Sequence, residues 1–303
     1  MKRVIVTTTI NAPTRATLAF AGNPDWTLVV VGDRKTPHAD YEAIDCVYLS
    51  PETQEERYPD LCEVTPWNSI QRRNVGFVEA YRMGADVIAT VDDDNIPYPD
   101  WGADLHVGQE IDVDLYEPEA EVFDPLSVTD APQVWHRGFP IELLGVRDRV
   151  TYMGKRRRKV LVQADLWDGD PDIDAIARLS LMPIVKYSVD SPYAGSCVAP
   201  FNSQNTFLAR EVLPYYAVLP FVGRMDDIWG AYVLQAKFPD CVVYNRASVY
   251  QDRNEQDLVT NLEREVLGYR HTLEFIRSGA DLDSAFVPET TRRFYEVYRA
   301  QFE

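Results

Sequence analysis

Val87-Ile88-Ala89-Thr90-Val91-Asp92-Asp93-Asp94-Asn95-Ile96-Pro97 is the stretch on which the reading of this chain turns. A β-branched apolar run ends abruptly in three consecutive carboxylates. Val, Ile and Thr suit a covered, pleated strand, and Asn95 and Pro97 stop it. Three acidic groups therefore stand where a core strand surfaces. In an open α/β sheet, ligands bind beyond the carboxyl ends of the strands. Like charges crowded there repel unless a cation or donors compensate them. Asp92 and Asp94, at alternate positions, offer hard oxygen ligands to Mg2+ or Mn2+, which in turn holds phosphates. A solvated acidic turn is the plainer alternative.

Outward from this stretch, the segments on the N-terminal side build an α/β half. Val4–Ile10 and Leu28–Val31 read as continuous apolar strands, as in a parallel sheet covered on both faces. Val47–Ser50 reads as a short third strand. Each long strand runs into a polar loop, and in this architecture such loops share a rim. Thr8, Thr9, Asn11, Asp33 and Arg34 are thus candidates for holding a nucleotide. Pro66-Trp67-Asn68-Ser69 starts a helix capped by Asn68 or Ser69. Ile70, Phe77, Val78 and Tyr81 share its apolar face, and Gly84 ends it. Arg72 and Arg73 near its N-terminus oppose the macrodipole, which points to an anionic neighbour such as a diphosphate.

On the C-terminal side, residues 98 to 134 read as an irregular acidic excursion over the sheet edge. Arg137, between aromatic residues, is either a stacked structural arginine or a clamp for phosphate or sugar. The basic run Lys155–Lys159 reads as a solvated hairpin or loop face, with a phosphate contact as the minority alternative. Val160–Trp167 is a strand, and Asp168, Asp170, Asp172 and Asp174 after it mark a turn and a helix start. Asn202, Ser203, Gln204 and Asn205 precede another strand, and such polar groups need partners if buried. Asp226 and Asp227 open a helix, either as ordinary capping or as a general base. Val242–Tyr244 and Ser248–Tyr250 read as late strands. From Asp257 an amphipathic helix and a last helix opened by Pro288 form a tail.

The chain has 303 residues, 46% of them hydrophobic, enough for one large core. Its 30 basic and 48 acidic residues leave a formal charge of −18, which disfavours a broad nucleic-acid surface. No apolar run reaches the ~18 residues of a membrane span. The N-terminus enters a strand without a signal-peptide h-region and cleavage site, so a cytoplasmic location is expected. Cys46, Cys62, Cys197 and Cys241 are scattered, which argues for free thiols rather than zinc or disulfides.

On several of these stretches the chain resembles the STELLO family of glycosyltransferases, of the GT-A fold. They are Val30–Pro37, Tyr48–Ser50, Pro66–Ser69, Arg73–Phe77, Asp92–Asn95, Arg137–Pro140, Ala199–Thr206 and Gly223–Trp229. A weaker resemblance is to reversibly glycosylated polypeptides, which include sugar-nucleotide pyranose–furanose mutases. They share the triple Asp, an Arg-Gly-aromatic-Pro segment matching Arg137–Pro140 and a Gly-Arg-x-Asp-Asp-x-Trp segment. The resemblance implies an α/β class, a GT-A-like (nucleotide-diphospho-sugar transferase) Rossmann-type mixed sheet with a C-terminal helical appendage. The helical pattern of the tail divides the chain into a domain at 1–253, catalytic on the resemblance, and a helical extension at 254–303, packed on it or forming a homodimer contact.

The implied activity is metal-dependent glycosyl transfer from a nucleoside-diphosphate sugar to a hydroxyl of a glycan or small-molecule acceptor. A mutase and a non-catalytic sugar-nucleotide-binding scaffold are the alternatives. In the implied DXD arrangement Asp92 contacts ribose or metal-bound water, beside Asp93, and Asp94 ligates Mn2+ or Mg2+. Arg34, Arg72 or Arg73 adds charge at the departing diphosphate. Asp226 or Asp227 is the base, Asn202 to Asn205 with Trp229 contact the substrate, and Arg137 positions phosphate or sugar. In a mutase Arg137 would instead be the nucleophile, a poor one while its pKa exceeds ~12.

Overall fold

The computed structural model describes residues 1–253 and 255–303. Residue 254, the expected start of the tail, lies outside the described residues. The strands are β1 (Arg3–Thr9), β2 (Thr27–Gly32), β3 (Val47–Leu49), β4 (Val87–Val91), β5 (Asn95–Pro97), β6 (Glu110–Pro118), β7 (Val150–Lys159), β8 (Val162–Gly169), β9 (Tyr193–Gly195), β10 (Asn205–Ala209) and β11 (Val242–Gln251). The helices are α1 (Arg15–Ala21), α2 (Pro51–Arg57), α3 (Pro59–Val64), α4 (Arg73–Arg82), α5 (Ala175–Leu181), α6 (Asp226–Lys237), α7 (Leu258–Arg277) and α8 (Glu289–Ala300).

The described strands form one 11-stranded mixed sheet ordered β3-β2-β1-β4-β10-β8-β11-β9-β6-β7, with β5 paired to β11. This is the expected α/β class with a Rossmann-type mixed sheet. β3, β2, β1 and β4 run parallel. Their apolar runs are buried on both faces, as a sheet flanked by helices requires. The chain leaves β1 toward β2 and β3 and returns on its other side as β4, so a topological switch point opens beyond β1 and β4. α4 closes one face at short range. A Cβ on its Gly76 would lie 2.4 Å from Val6 Cγ1, so only glycine permits that approach.

Strand direction then gathers the polar ends. β10 runs antiparallel to both β4 and β8, and β11 runs parallel to β8. The C-terminal ends of β1, β4, β8 and β11 and the N-terminal end of β10 therefore meet on one rim. Sequence segments far apart, from Thr8 to Arg253, arrive at that rim for this reason.

The structure corrects several expectations. The excursion at 98–134 contains β6, which pairs with β7 so that Glu110, Asp112 and Asp114 face Lys159, Arg157 and Lys155. The acidic stretch and the basic run are cross-strand mates, which neutralise each other on an exposed ribbon. Ile70 does not join the apolar face of α4. It sits in a 3-10 turn, Ile70–Arg72, and is exposed at the cleft described below. The two late strands are one, β11, interrupted by a register shift between Asn245 and Val249. In the tail, α8 buries Phe294 and Tyr298, whose hydroxyl donates to Leu213 O and Tyr216 O, and Gly268 of α7 packs on Met225. No described helix is long and apolar enough to cross a membrane, and all four cysteines are free.

Candidate active site

The rim holds two adjoining recesses. One, of about 210 Å3, lies between the loop after β1 and the triplet and is lined by Thr8, Thr9, Asn11, Arg73, Asp92, Asp93 and Asp94. The other, of about 560 Å3, is lined by Asp92, Asp94, Arg137, Asp172, Ser203, Gln204, Asp226, Asp227 and Arg253, with Arg224 and Arg264 among its other lining residues. Asn68, Ser69 and Ile70 border both. Asn68 takes a left-handed φ of 54°, which asparagine tolerates, and so turns the chain along the cleft wall.

The three aspartates of the triplet diverge. Asp92 is bound by Arg73, whose Nη1 also donates to Ser203 O and Oγ at 2.7 Å. Asp93 turns back to the β1 loop, accepting from Thr9 Oγ1 at 2.5 Å and Asn11 Nδ2 at 3.0 Å. Asp94 lines both recesses, and its carbonyl accepts from Asp252 N at 3.0 Å. Thr8 Oγ1 is spent on Val31 O at 2.9 Å.

Beneath the larger recess lies a buried charge network. Arg137 donates through Nε and Nη2 to Asp172 at 3.0 and 2.7 Å. It donates through Nη1 and Nη2 to Asp227 at 2.9 and 3.2 Å, and through Nη1 to Arg224 O. Every nitrogen of the guanidinium is thereby engaged. Burial opposes its charge, but Asp172, Asp227 and Asp226 outweigh that and hold it firmly protonated. Burial likewise opposes ionisation of Asp172, yet Arg137, Arg224 and Arg253 keep its carboxyl far below the ordinary range. Asp227 is also held low despite burial, chiefly by Arg137, and accepts from Ser203 N and Oγ at 2.9 and 3.0 Å.

Asp226 differs from its neighbour. Its Oδ2 accepts from Gln71 Nε2 at 2.9 Å and its Oδ1 from Asp227 N at 3.0 Å, while Arg137 Nη1 is 3.7 Å away. Burial, then the nearby Asp227 charge, pushes it up to about 7. Two adjacent carboxylates with opposite shifts are the pattern expected of an acid–base pair with separate tasks. The helix start that made capping plausible supplies no side-chain cap.

Five expected site residues lie away from the cleft. Arg72 is fully buried, donating to Gln54 Oε1 and stacking on Trp67, because its turn faces α2 and α3 rather than the rim. The anionic neighbour expected for Arg72 and Arg73 is, for Arg73, the carboxylate of Asp92. Arg34 is exposed, over Trp67 and 3.4 Å from Glu55. Asp33 is buried behind the cleft wall, accepting from Arg34 N in its own loop and from Ser69 N. Asn205 points into the core, bonded to Leu166 O, Ser248 and Trp101. Trp229, wholly buried on α6, stacks on Phe275 and donates to Thr272. Asn202 Nδ2 does reach Asp172, at 3.2 Å.

Residues outside the expected set complete the site: Gln71, Arg224, Arg253 and, behind Arg224, Glu265. Glu265 is fully buried on α7, accepting from Arg224 Nε at 2.8 Å and Ala175 N at 2.9 Å. A carboxylate on the apolar face of an amphipathic helix was the available signal.

No protein-family model matches the chain. It is 24% identical over 296 residues to Probable glycosyltransferase STELLO2 of Arabidopsis thaliana. The alignment covers 86% of this chain and 38% of that protein. The chain resembles the STELLO-type probable glycosyltransferases. Probable glycosyltransferase STELLO1 of the same plant matches equally, at 24% over 86% of this chain and 38% of its own length. The chain thus spans well under half the length of the STELLO proteins it matches. Among solved structures, the crystal structure of glucosyl-3-phosphoglycerate synthase from Mycobacterium tuberculosis in complex with phosphoglyceric acid aligns with a TM-score of 0.47 and 13% identity. That alignment covers 92% of this chain and 79% of the other.

Proposed function

We propose that the chain is a divalent-metal-dependent glycosyltransferase that takes a nucleoside-diphosphate sugar and passes the sugar to an acceptor hydroxyl. One observation carries this reading: a single cleft is walled by the strand-end aspartates Asp92 and Asp94 and by a buried carboxylate, Asp226, raised toward neutrality.

The donor set suits a metal that the substrate completes. Among the described residues no group of three or more His, Cys, Asp or Glu gathers as a metal cage. Mg2+ and Mn2+ sites that serve phosphates use one or two carboxylates and take further oxygens from substrate and water. Asp94, and Asp92 on the side not bound by Arg73, would hold the ion. When bound, it acts as a Lewis acid on the departing diphosphate.

The chain's own residues supply the rest. Asp226 accepts the proton of the acceptor hydroxyl, with Gln71 and the Asp227 amide fixing its aim. Arg137 keeps Asp227 ionised against the opposing charge of Asp172, and Asp227 holds Ser203 in place. Arg224 and Arg264 add positive charge to a cleft in a strongly acidic chain. The recess beside Thr9, Asn11 and Asp93 is left for the nucleoside.

The mutase alternative needs Arg137 as a nucleophile. A guanidinium with all its nitrogens donating to carboxylates and a carbonyl, and held protonated, has no lone pair to offer. That geometry favours transfer. The test is incubation with UDP- and GDP-sugars and Mn2+ in the absence of acceptor. Slow release of free nucleotide is expected. Ring-isomerised donor would mean a mutase, and donor that binds but stays intact would mean a scaffold.

A further inference from the structure

Two buried polar atoms in the larger recess are left over. Gln204 is 6% exposed and the Arg253 side chain 4%, and both line the cleft. Among the described residues neither Gln204 Oε1 nor Arg253 Nη2 has a hydrogen-bond partner. Leaving such a group unsatisfied costs about 1–3 kcal/mol, and native proteins keep few of them.

The backbone of Gln204 and the Nε of Arg253 are tied down. Gln204 N donates to Asn202 Oδ1 at 3.2 Å, and Gln204 O accepts from Asp92 N at 3.3 Å and Asn95 Nδ2 at 2.8 Å. Arg253 Nε donates to Asp170 O at 3.3 Å, and its guanidinium stands 3.7 Å from both Asp170 and Asp172. At that separation the contact is a charge pair, not a hydrogen bond. These ties place both residues beside the triplet. Gln204 is bonded to the Asp92 backbone, and Asp252, next to Arg253, to the Asp94 carbonyl.

The chemistry of the missing partner follows. An amide oxygen only accepts, so the occupant carries an O–H or N–H. A guanidinium nitrogen only donates, so the occupant also carries a lone pair. An ionised phosphate or carboxylate provides the second but not the first. Around Arg253 the arginines Arg137, Arg178 and Arg224 and Arg253 itself are matched by Asp170, Asp172, Asp227 and Glu265, so no further anion is called for. A hydroxylated ring provides both. We propose, resting on the reading of the cleft as a sugar-nucleotide site, that Gln204 and Arg253 form the subsite that reads hydroxyls of the donor sugar. The transferred unit is then a neutral, polyhydroxylated sugar.

Calorimetric titration with Mn2+ present tests this, comparing UDP and GDP with UDP-glucose, UDP-glucuronate and GDP-mannose. The wild-type protein is expected to bind one neutral sugar nucleotide at least about tenfold tighter than its parent diphosphate, the scale of one satisfied buried group. Gln204→Leu and Arg253→Lys should each lose that margin while binding the parent diphosphate unchanged. If Gln204→Leu does not fold, Gln204→Asn, one methylene shorter, replaces it. A margin that survives in both variants overturns the subsite, as does equal weakening of diphosphate and sugar nucleotide. Tighter binding of UDP-glucuronate than of UDP-glucose overturns the neutral sugar. A wild-type protein that binds diphosphates without any margin for sugar defeats the subsite alone. One that binds neither defeats the reading of the cleft and the subsite with it.

Discussion

Asp226→Asn is expected to lower donor turnover by about 100- to 10,000-fold, the usual contribution of a positioned general base. The substitution keeps the shape of the side chain and an oxygen for the Asp227 amide. It removes the ability to hold a proton. The readout is release of free nucleotide from UDP- or GDP-sugars, with water standing in for the acceptor. In the wild-type protein that rate should climb with pH through about 7 and then level, because the ionised carboxylate is the working form. Asp226→Asn should flatten the profile. Stability supplies a control. A carboxyl raised above its usual value favours the folded state fully only below the ordinary carboxylate range, and that contribution is lost as pH rises through about 7. At pH 8 the Asn variant should therefore melt no lower than the wild-type protein. A variant that melts much lower, or that keeps its turnover, removes Asp226 from the role.

Arg137→Ala is expected to act on the fold instead. It strips Asp172 and Asp227, both buried, of their shared guanidinium. Removing one partner of a buried pair costs about 3–5 kcal/mol, since a charge remains without compensation. Asp172 keeps Arg224 and Arg253, and Asp227 keeps Ser203, which tempers the loss. Urea denaturation measures it. The sign with pH is fixed by the direction of the shifts. Carboxyls held below their ordinary value stabilise the fold above the unfolded pKa of 3.8 and lose that effect as pH falls through their folded values. The gap between wild type and variant should narrow in acid. A variant of full stability that is merely inactive would point back to Arg137 as a reacting group.

The fold was legible where the sequence is repetitive in its physics. Val4 to Val6, Leu28 to Val31 and Val87 to Val91 are apolar on both faces, and only a covered parallel sheet uses such runs. β6 was missed although Ile111, Val113 and Leu115 alternate with acids, because the surrounding Pro and Asp read as loop. α2 was missed although Ser50 caps it, accepting from Thr53 N, with Pro51 in its first turn. In the site, residues beside the triplet or within the Asn-rich stretch reached the cleft because strand ends dictate their place. Trp229, Arg72 and Asn205 did not, because residue type says nothing of which side of a helix or strand a group occupies. Arg253 and Gln71 had no local signal. Each is brought in by a register between elements distant in sequence.

The account rests on Asp94 holding a metal-bound diphosphate at the end of β4. Isothermal titration of wild-type protein and Asp94→Ala with UDP- and GDP-sugars, each with Mn2+ and with EDTA, tests that directly. The account predicts binding by the wild-type protein that EDTA abolishes, and none by Asp94→Ala, whose melting temperature stays within a few degrees because the side chain faces the cleft and the Asp94 carbonyl contact to Asp252 survives. Donor binding that is indifferent to EDTA, or that persists in Asp94→Ala, would contradict it.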